Sequence, residues 1–149
     1  LKGYGLIHST AFPDSEEAKE GRTNSAKSIE KDGIQPFIDN LVPKLFSDDS
    51  LLNLKVEVEK TREIGYSTNS KAAQQTLLAM KARPDRNIVL DKKHIPVLLV
   101  AGDQDKIIPV EKSFSVKGNH ILTKIIAESG HMSMLEKPDT LVEVIREFL

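Results

Sequence analysis

Val97-Leu98-Leu99-Val100-Ala101-Gly102-Asp103-Gln104-Asp105 is the stretch that decides how the rest of this chain is read. Its apolar residues run on without alternation, which marks a strand buried on both faces, as in a parallel sheet. Gly102 ends the run in a turn, and two acids follow. A second buried run, Ile121 to Ala127, leads into Glu128-Ser129-Gly130-His131. In open α/β sheets the carboxyl ends of the strands share one edge, and active sites gather there. An acid at one strand end and a histidine at the next can therefore meet. The carboxylate accepts from an imidazole N–H, fixes the tautomer and stabilises the cation. Asp105 and His131 are 26 residues apart (131 − 105), enough for a short helix and a strand. Asp105 lies further round the turn than Asp103, and Ile107-Ile108-Pro109 can anchor its loop, so Asp105 is preferred and Asp103 is the alternative. Taken alone, either aspartate reads as a turn or helix cap.

Working outward, residues 4–9 form a third short apolar run that ends at His8-Ser9. Pro13 marks a turn. Ser15 can cap a largely solvent-facing helix that opens with Glu16 and Glu17 and stops at Gly33. Phe37, Ile38, Leu41, Val42 and Leu45 recur at helical spacing, and Pro43 is expected to kink or split that helix. Their stripe suits helix packing or the cover of an acyl pocket. Between Leu51 and Ile64, the alternation of Leu54, Val56 and Val58 with charged residues fits a strand. Leu51, Leu54 and Val58 also fit one helical face, and helix is preferred. Ser70 to Ala82 reads as a helix stopped by Pro84. Residues 111–117 form a weak short helix. Pro138 can start a last helix, with Leu141, Val144, Ile145 and Phe148 on one face. Strands separated by crossover helices imply a parallel sheet in an α/β fold. The helical block between the first two strands is too long for one crossover and reads as an insertion. The expected division is a sheet-bearing part, 1–14 and 83–149, and a helical cap, 15–82.

The 149 residues suffice for one domain with a core, and the net charge of −1 gives no footprint for nucleic acid or an anionic membrane surface. Aromatics make up 5%, with no Trp, which argues against stacking platforms. The absence of Cys excludes disulfides and thiolate chemistry and fits a cytoplasmic location. No apolar run approaches the roughly 20 residues of a membrane helix, and nothing signal-like opens the chain. Leu1-Lys2-Gly3-Tyr4-Gly5-Leu6-Ile7 reads like the interior of a fold, so a longer parent protein is expected.

These motifs carry a family resemblance. Ile95 to Pro109 resembles the acid-bearing segment of the α/β-hydrolase superfamily. Ser129-Gly130-His131-Met132-Ser133-Met134-Leu135-Glu136-Lys137-Pro138 resembles its histidine segment, where Glu and Pro follow the His at this distance. Gly5 to Ala11 is similar to the strand leading into the cap, and Met80 to Asp85 to the cap exit of the esterase and lactonase branch. The resemblance covers essentially the whole chain, as the C-terminal portion of such an enzyme. It implies a partial α/β-hydrolase fold, a three-stranded parallel sheet with flanking helices and an inserted helical cap. It also implies Asp105 as acid and His131 as base.

In that superfamily the nucleophile precedes the acid and the histidine along the chain, on a G-x-S-x-G turn. No stretch here matches. The nearest, Gly65-Tyr66-Ser67-Thr68-Asn69, has Asn for the second Gly and reads as a helix-to-helix loop. The nucleophile is therefore expected in a missing N-terminal half. The expected activity of the intact protein is carboxylesterase-like hydrolysis of a small-molecule ester without a cofactor, and the chain alone is expected to be inactive. His8 and Met132 are candidates for lining the substrate pocket, although a strand-end histidine or a flanking Met also suits packing. Arg22 and Arg83 can meet an anionic substrate or form ordinary surface pairs. His94 and His120 are expected at the surface, and no histidine pair has metal-ligand spacing. The competing reading is a non-catalytic interaction module that forms a homo-oligomer through the bare edge of its first strand. A dehalogenase-type hydrolase is the third.

Overall fold

The computed structural model describes residues 2–92 and 95–149. His94, expected at the surface, lies outside the described residues. In chain order the elements are β1 (Tyr4–Ile7), α1 (Glu16–Asp32), α2 (Gln35–Leu45), α3 (Asp48–Asn53), α4 (Lys55–Ser67) and α5 (Ser70–Lys81). After them come α6 (Asn87–Leu90), β2 (Val97–Gly102), α7 (Val110–Ser113), β3 (Ile121–Ile126), α8 (Ser133–Glu136) and α9 (Pro138–Phe148). They form two compact units, residues 1–12, 44–55 and 86–149 in one and residues 13–43 and 56–85 in the other. Residues 44–55, inside the stretch read as a helical insertion, group with the sheet.

The first unit is built on β2. Its strands are parallel in the order β1-β2-β3, with Leu6 opposite Leu99 and Leu99 opposite Thr123. Every residue of β2 is buried. Because side chains alternate across a strand, β2 feeds two cores. Leu98 and Val100 pack with Ile126 and with Leu141 and Val144 of α9. Val97 and Leu99 pack on the other face with Ala11 and Leu90. Full burial of each large apolar side chain is worth about 1.5–3 kcal/mol, so β2 anchors both layers. α9 begins at Pro138, where a missing N–H costs nothing, and turns the expected stripe inward.

The second unit is helical. Ser15 caps α1 by accepting from the Ala18 N–H at 3.2 Å, and Gly33 closes it at φ 82°, a left-handed conformation that suits glycine. Arg22 and Arg83 both reach Asp14, at 3.1 and 3.6 Å, so among the described residues they form an intramolecular pair of ion contacts. The 51–64 ambiguity resolves as helix, with Leu54 the C-cap of α3 and the one non-helical residue before α4. Pro43 does not split α2, which ends two residues later at Leu45. Near the C-terminus of a helix, the missing proline N–H removes a single intrahelical bond. A Cβ on Gly65 would sit 2.7 Å from Ile38 Cγ2, so this glycine serves the close packing of α4 on α2. The Ser67 hydroxyl donates to the Ile64 carbonyl at 2.8 Å, as a helix-end cap. Gly65-x-Ser67 is a packing and capping feature, not a strand-to-helix turn.

Candidate active site

The candidate site lies wholly within the sheet-bearing unit, at the carboxyl ends of β1, β2 and β3. The loop after β2 carries two aspartates with different partners. Asp103 Oδ1 accepts from the Ser129 N–H at 3.3 Å, tying this loop to the one after β3. Asp105 is 7% exposed and turns inward. Its Oδ1 accepts from the backbone N–H groups of Ile107 and Ile108 at 2.8 and 2.9 Å, an Asx-type turn that fixes the carboxylate. Its Oδ2 accepts from His131 Nδ1 at 2.8 Å. The choice between Asp103 and Asp105 is thus resolved in space: Asp105 meets His131, and Asp103 is a strut.

The loop bearing His131 is held by close backbone approach. A Cβ on Gly102 would lie 2.2 Å from the Ser129 carbonyl oxygen, and one on Gly130 would lie 2.7 Å from the Ser47 nitrogen. Both positions therefore demand glycine. The His131 N–H donates to the Leu45 carbonyl at 2.8 Å, and the Gln104 N–H to that of Ser129 at 3.0 Å. Beneath the loop lies Glu136, 8% exposed. Its carboxylate accepts from the Ser47 N–H at 2.8 Å, the Met132 N–H at 3.1 Å and the Ser129 hydroxyl at 3.3 Å. Met132 thus flanks His131 with its backbone pinned and its side chain half-buried.

His8 completes the cluster. Only 3% exposed at the end of β1, it points Nδ1 at the same Asp105 Oδ2, at 3.3 Å, and Nε2 at the Ser133 hydroxyl, at 2.6 Å. Both of its ring nitrogens are therefore engaged within the protein. Its φ of 48° is left-handed, a conformation that costs a non-glycine residue about 1–2 kcal/mol. His120, expected at the surface, is half-buried, with Nε2 2.9 Å from the Leu90 carbonyl.

Electrostatics follow from these contacts. Burial pushes the Asp105 carboxyl up, but hydrogen bonds from His131, His8 and the Ile108 N–H outweigh it and hold the group well below the usual carboxylate range. Burial likewise opposes ionisation of Glu136, and donors led by the Ser47 and Gly130 N–H groups overcome it. Both carboxylates are ionised at neutral pH. With Asp105 accepting at Nδ1, the His131 ring presents the lone pair of Nε2, and among the described residues nothing hydrogen-bonds that nitrogen. This is an imidazole set up to take a proton and be stabilised as a cation. Donor atoms of His8, Asp105 and His131 lie within 4.8 Å of one another, a two-histidine, one-carboxylate set. The same atoms bond to each other, so a cation would have to replace those bonds.

The strand-end pattern brings Asp105 and His131 together, and two further relations carry no local signal: His8 meets Asp105 across 97 positions, and Glu136 meets Ser47 across 89.

The comparisons with known proteins agree with this architecture. The family model described as the Ndr family matches residues 6–149. Protein ABHD8 from Mus musculus is 44% identical over 57 residues, which are 37% of this chain and 13% of that protein, and ABHD8 from Homo sapiens matches over the same extent. Among solved structures, a thermophilic esterase from Thermogutta terrifontis is similar with a TM-score of 0.91 and 28% identity, over 99% of this chain and 55% of that one. The enol-lactonase from Burkholderia xenovorans LB400 is similar in fold, with a TM-score of 0.82 and 19% identity over 98% of this chain and 55% of that one. The chain thus spans about half the length of these structures and forms part of the α/β-hydrolase fold. No described helix is long and apolar enough to cross a membrane.

Proposed function

This chain belongs to the Ndr family, and from that premise we propose that it carries the acid and base of a serine-type hydrolytic centre whose nucleophile lies in another part of a longer protein. The observation that supports this reading is the 2.8 Å bond from His131 Nδ1 to a buried, ionised Asp105, with Nε2 left uncommitted. In the proposed reaction a serine hydroxyl attacks the carbonyl of a small ester and its proton passes to His131 Nε2. His131 then gives that proton to the leaving alcohol. Water repeats the cycle on the acyl-enzyme. Asp105 keeps the imidazole in the Nδ1–H tautomer and stabilises its cation. Met132, next to the base, contributes to the apolar lining of the substrate pocket. An aspartate nucleophile in the parent would instead make the reaction dehalogenase-like.

A second reading is favoured by β1, which among the described residues pairs only with β2. Its other edge offers backbone N–H and C=O groups, a template for a further strand or a second copy. One experiment separates the readings. The parent protein and residues 1–149 alone are assayed on a short-chain p-nitrophenyl ester, with light scattering in parallel. The parent should turn over, and His131→Gln should lower its kcat about 1000-fold or more. The isolated chain should be inactive and self-associated. A parent indifferent to His131→Gln sinks the hydrolytic reading, and an inactive parent with an oligomeric chain supports the second.

A further inference from the structure

Leu45, Phe46 and Ser47 form the corner where α2 ends and α3 begins, a place where backbone groups run out of partners within their own helices. The carbonyl of Leu45, the last residue of α2, has none there, and neither has the N–H of Ser47, the N-cap of α3. The histidine segment supplies both. His131 donates its backbone N–H to the Leu45 carbonyl at 2.8 Å, and Glu136 accepts from the Ser47 N–H at 2.8 Å. Backbone lies on backbone between them. A Cβ on Gly130 would sit 2.7 Å from the Phe46 carbonyl carbon, 2.7 Å from the Ser47 nitrogen and 2.9 Å from the Leu45 oxygen. Between the two bonded residues the chain places Phe46, 0% exposed and the largest fully buried side chain among the described residues. Ser47, equally buried, accepts from the Ser50 N–H at 3.2 Å and so closes the corner. A close-packed ring of that size fixes the backbone that carries it. His131 is thus held at two points, its ring by Asp105 through Nδ1 and its main chain by the corner. A ring tethered at one nitrogen alone can pivot about that bond, whereas the second hold sets where Nε2 stands.

We propose that Phe46 is a positioning residue for the base: by anchoring the α2–α3 corner it sets the His131 main chain, and with it the place of Nε2 against the reacting atoms. With no exposed surface, Phe46 offers nothing to a substrate, so its effect passes through the backbone of Leu45 and Gly130. The anchor comes from the stretch that reads as a helical insertion, not from the strand ends that carry the acid and the base. The proposal rests on the reading of His131 as the base.

The test compares Phe46→Ala, which empties the anchor, with Phe46→Leu, which keeps an apolar side chain there. Leu141→Ala, in the core between β2 and α9, controls for lost stability alone. Amide exchange on the chain reads the hold directly. Phe46→Ala should speed exchange of the His131 N–H about tenfold beyond the effect of Leu141→Ala, the loss of one hydrogen bond, and Phe46→Leu should restore most of the protection. In the longer protein, assayed on a p-nitrophenyl ester, Phe46→Ala should lower kcat about 10- to 100-fold with KM unchanged, whereas Leu141→Ala should leave the kcat of folded molecules as it was. Gly130→Ala strikes the same contact from the other side and should also free the His131 amide, which keeps the test open if Phe46→Ala does not fold. A His131 amide that stays protected in folded Gly130→Ala, or that exchanges equally in Phe46→Ala and Leu141→Ala, overturns the role of Phe46. So does a kcat unmoved by Phe46→Ala in an enzyme that His131→Gln disables, and in that case the reading of the base stands. An enzyme indifferent to His131→Gln overturns both.

Discussion

Two buried carboxylates, Asp105 and Glu136, sit beneath the same histidine loop, and both are held ionised against the cost of burial. They do different work because their donors differ. On Oδ2, Asp105 faces two imidazoles, side chains whose chemistry includes proton transfer. Glu136 faces backbone N–H groups and serine hydroxyls, none of which titrates near neutral pH. It can only hold geometry, tying Ser47 and the 129–132 segment to one point. A perturbed carboxylate therefore signals chemistry only when its partners can exchange protons. By that rule, under the proposed function, Asp105 serves the reaction and Glu136 sets the position of His131.

The sharpest way to break this contrast is truncation. Glu136→Ala strands two buried donors, from Ser47 and Ser129, and a half-buried one from Met132, and should destabilise the chain by about 3–5 kcal/mol in urea titrations. Asp105→Ala also strands donors, from Ile107, Ile108 and two imidazoles, so the contrast is read at His131: its Nδ1–H signal should be lost in folded Asp105→Ala and kept in folded Glu136→Ala, and its loss in both variants sinks the division of labour. A smaller effect lies in acid. Both folded-state pKa values are lowered, so the unfolded chain binds protons first as pH falls. Their stabilisation is fully present above the unfolded values of about 4 and is lost as pH drops through the folded ones. Glu136→Gln removes one of the two contributions and should flatten the loss of urea resistance below about pH 4, whereas an unchanged acid limb argues against an ionised Glu136. Smallest is Ser129→Ala, which removes one 3.3 Å donor to Glu136 and should cost about 1 kcal/mol by thermal denaturation, with the Asp105–His131 bond intact by NMR.

What was legible in the sequence was what a local pattern can encode. The unbroken apolar run of β2, the Ser15 and Gly33 boundaries of α1 and the inward stripe of α9 are set by neighbours in the chain. Asp105 and His131 were legible because parallel strands fix where their carboxyl ends lie. The short helices α6 and α8 carry too few residues to show a period. The attachment of residues 44–55 to the sheet-bearing unit, the reach of Glu136 to Ser47 and the convergence of His8 on Asp105 are relations between distant segments, made only when the chain closes. Gly65-x-Ser67 shows the reverse hazard. A fragment of a nucleophile motif arises from a helix contact and a helix end, and only Ile38 and Ile64 reveal it.

The burial of β2 has one more consequence. Val97-Leu98-Leu99-Val100-Ala101-Gly102 carries no charge and no proline within it, the composition that stacks into cross-β fibrils when it is released. Its gatekeepers are Pro96 on one side and Asp103 on the other. The strand that organises both cores is thus also the segment the chain can least afford to expose, and during synthesis it stays uncovered until β3, about twenty residues later, has emerged.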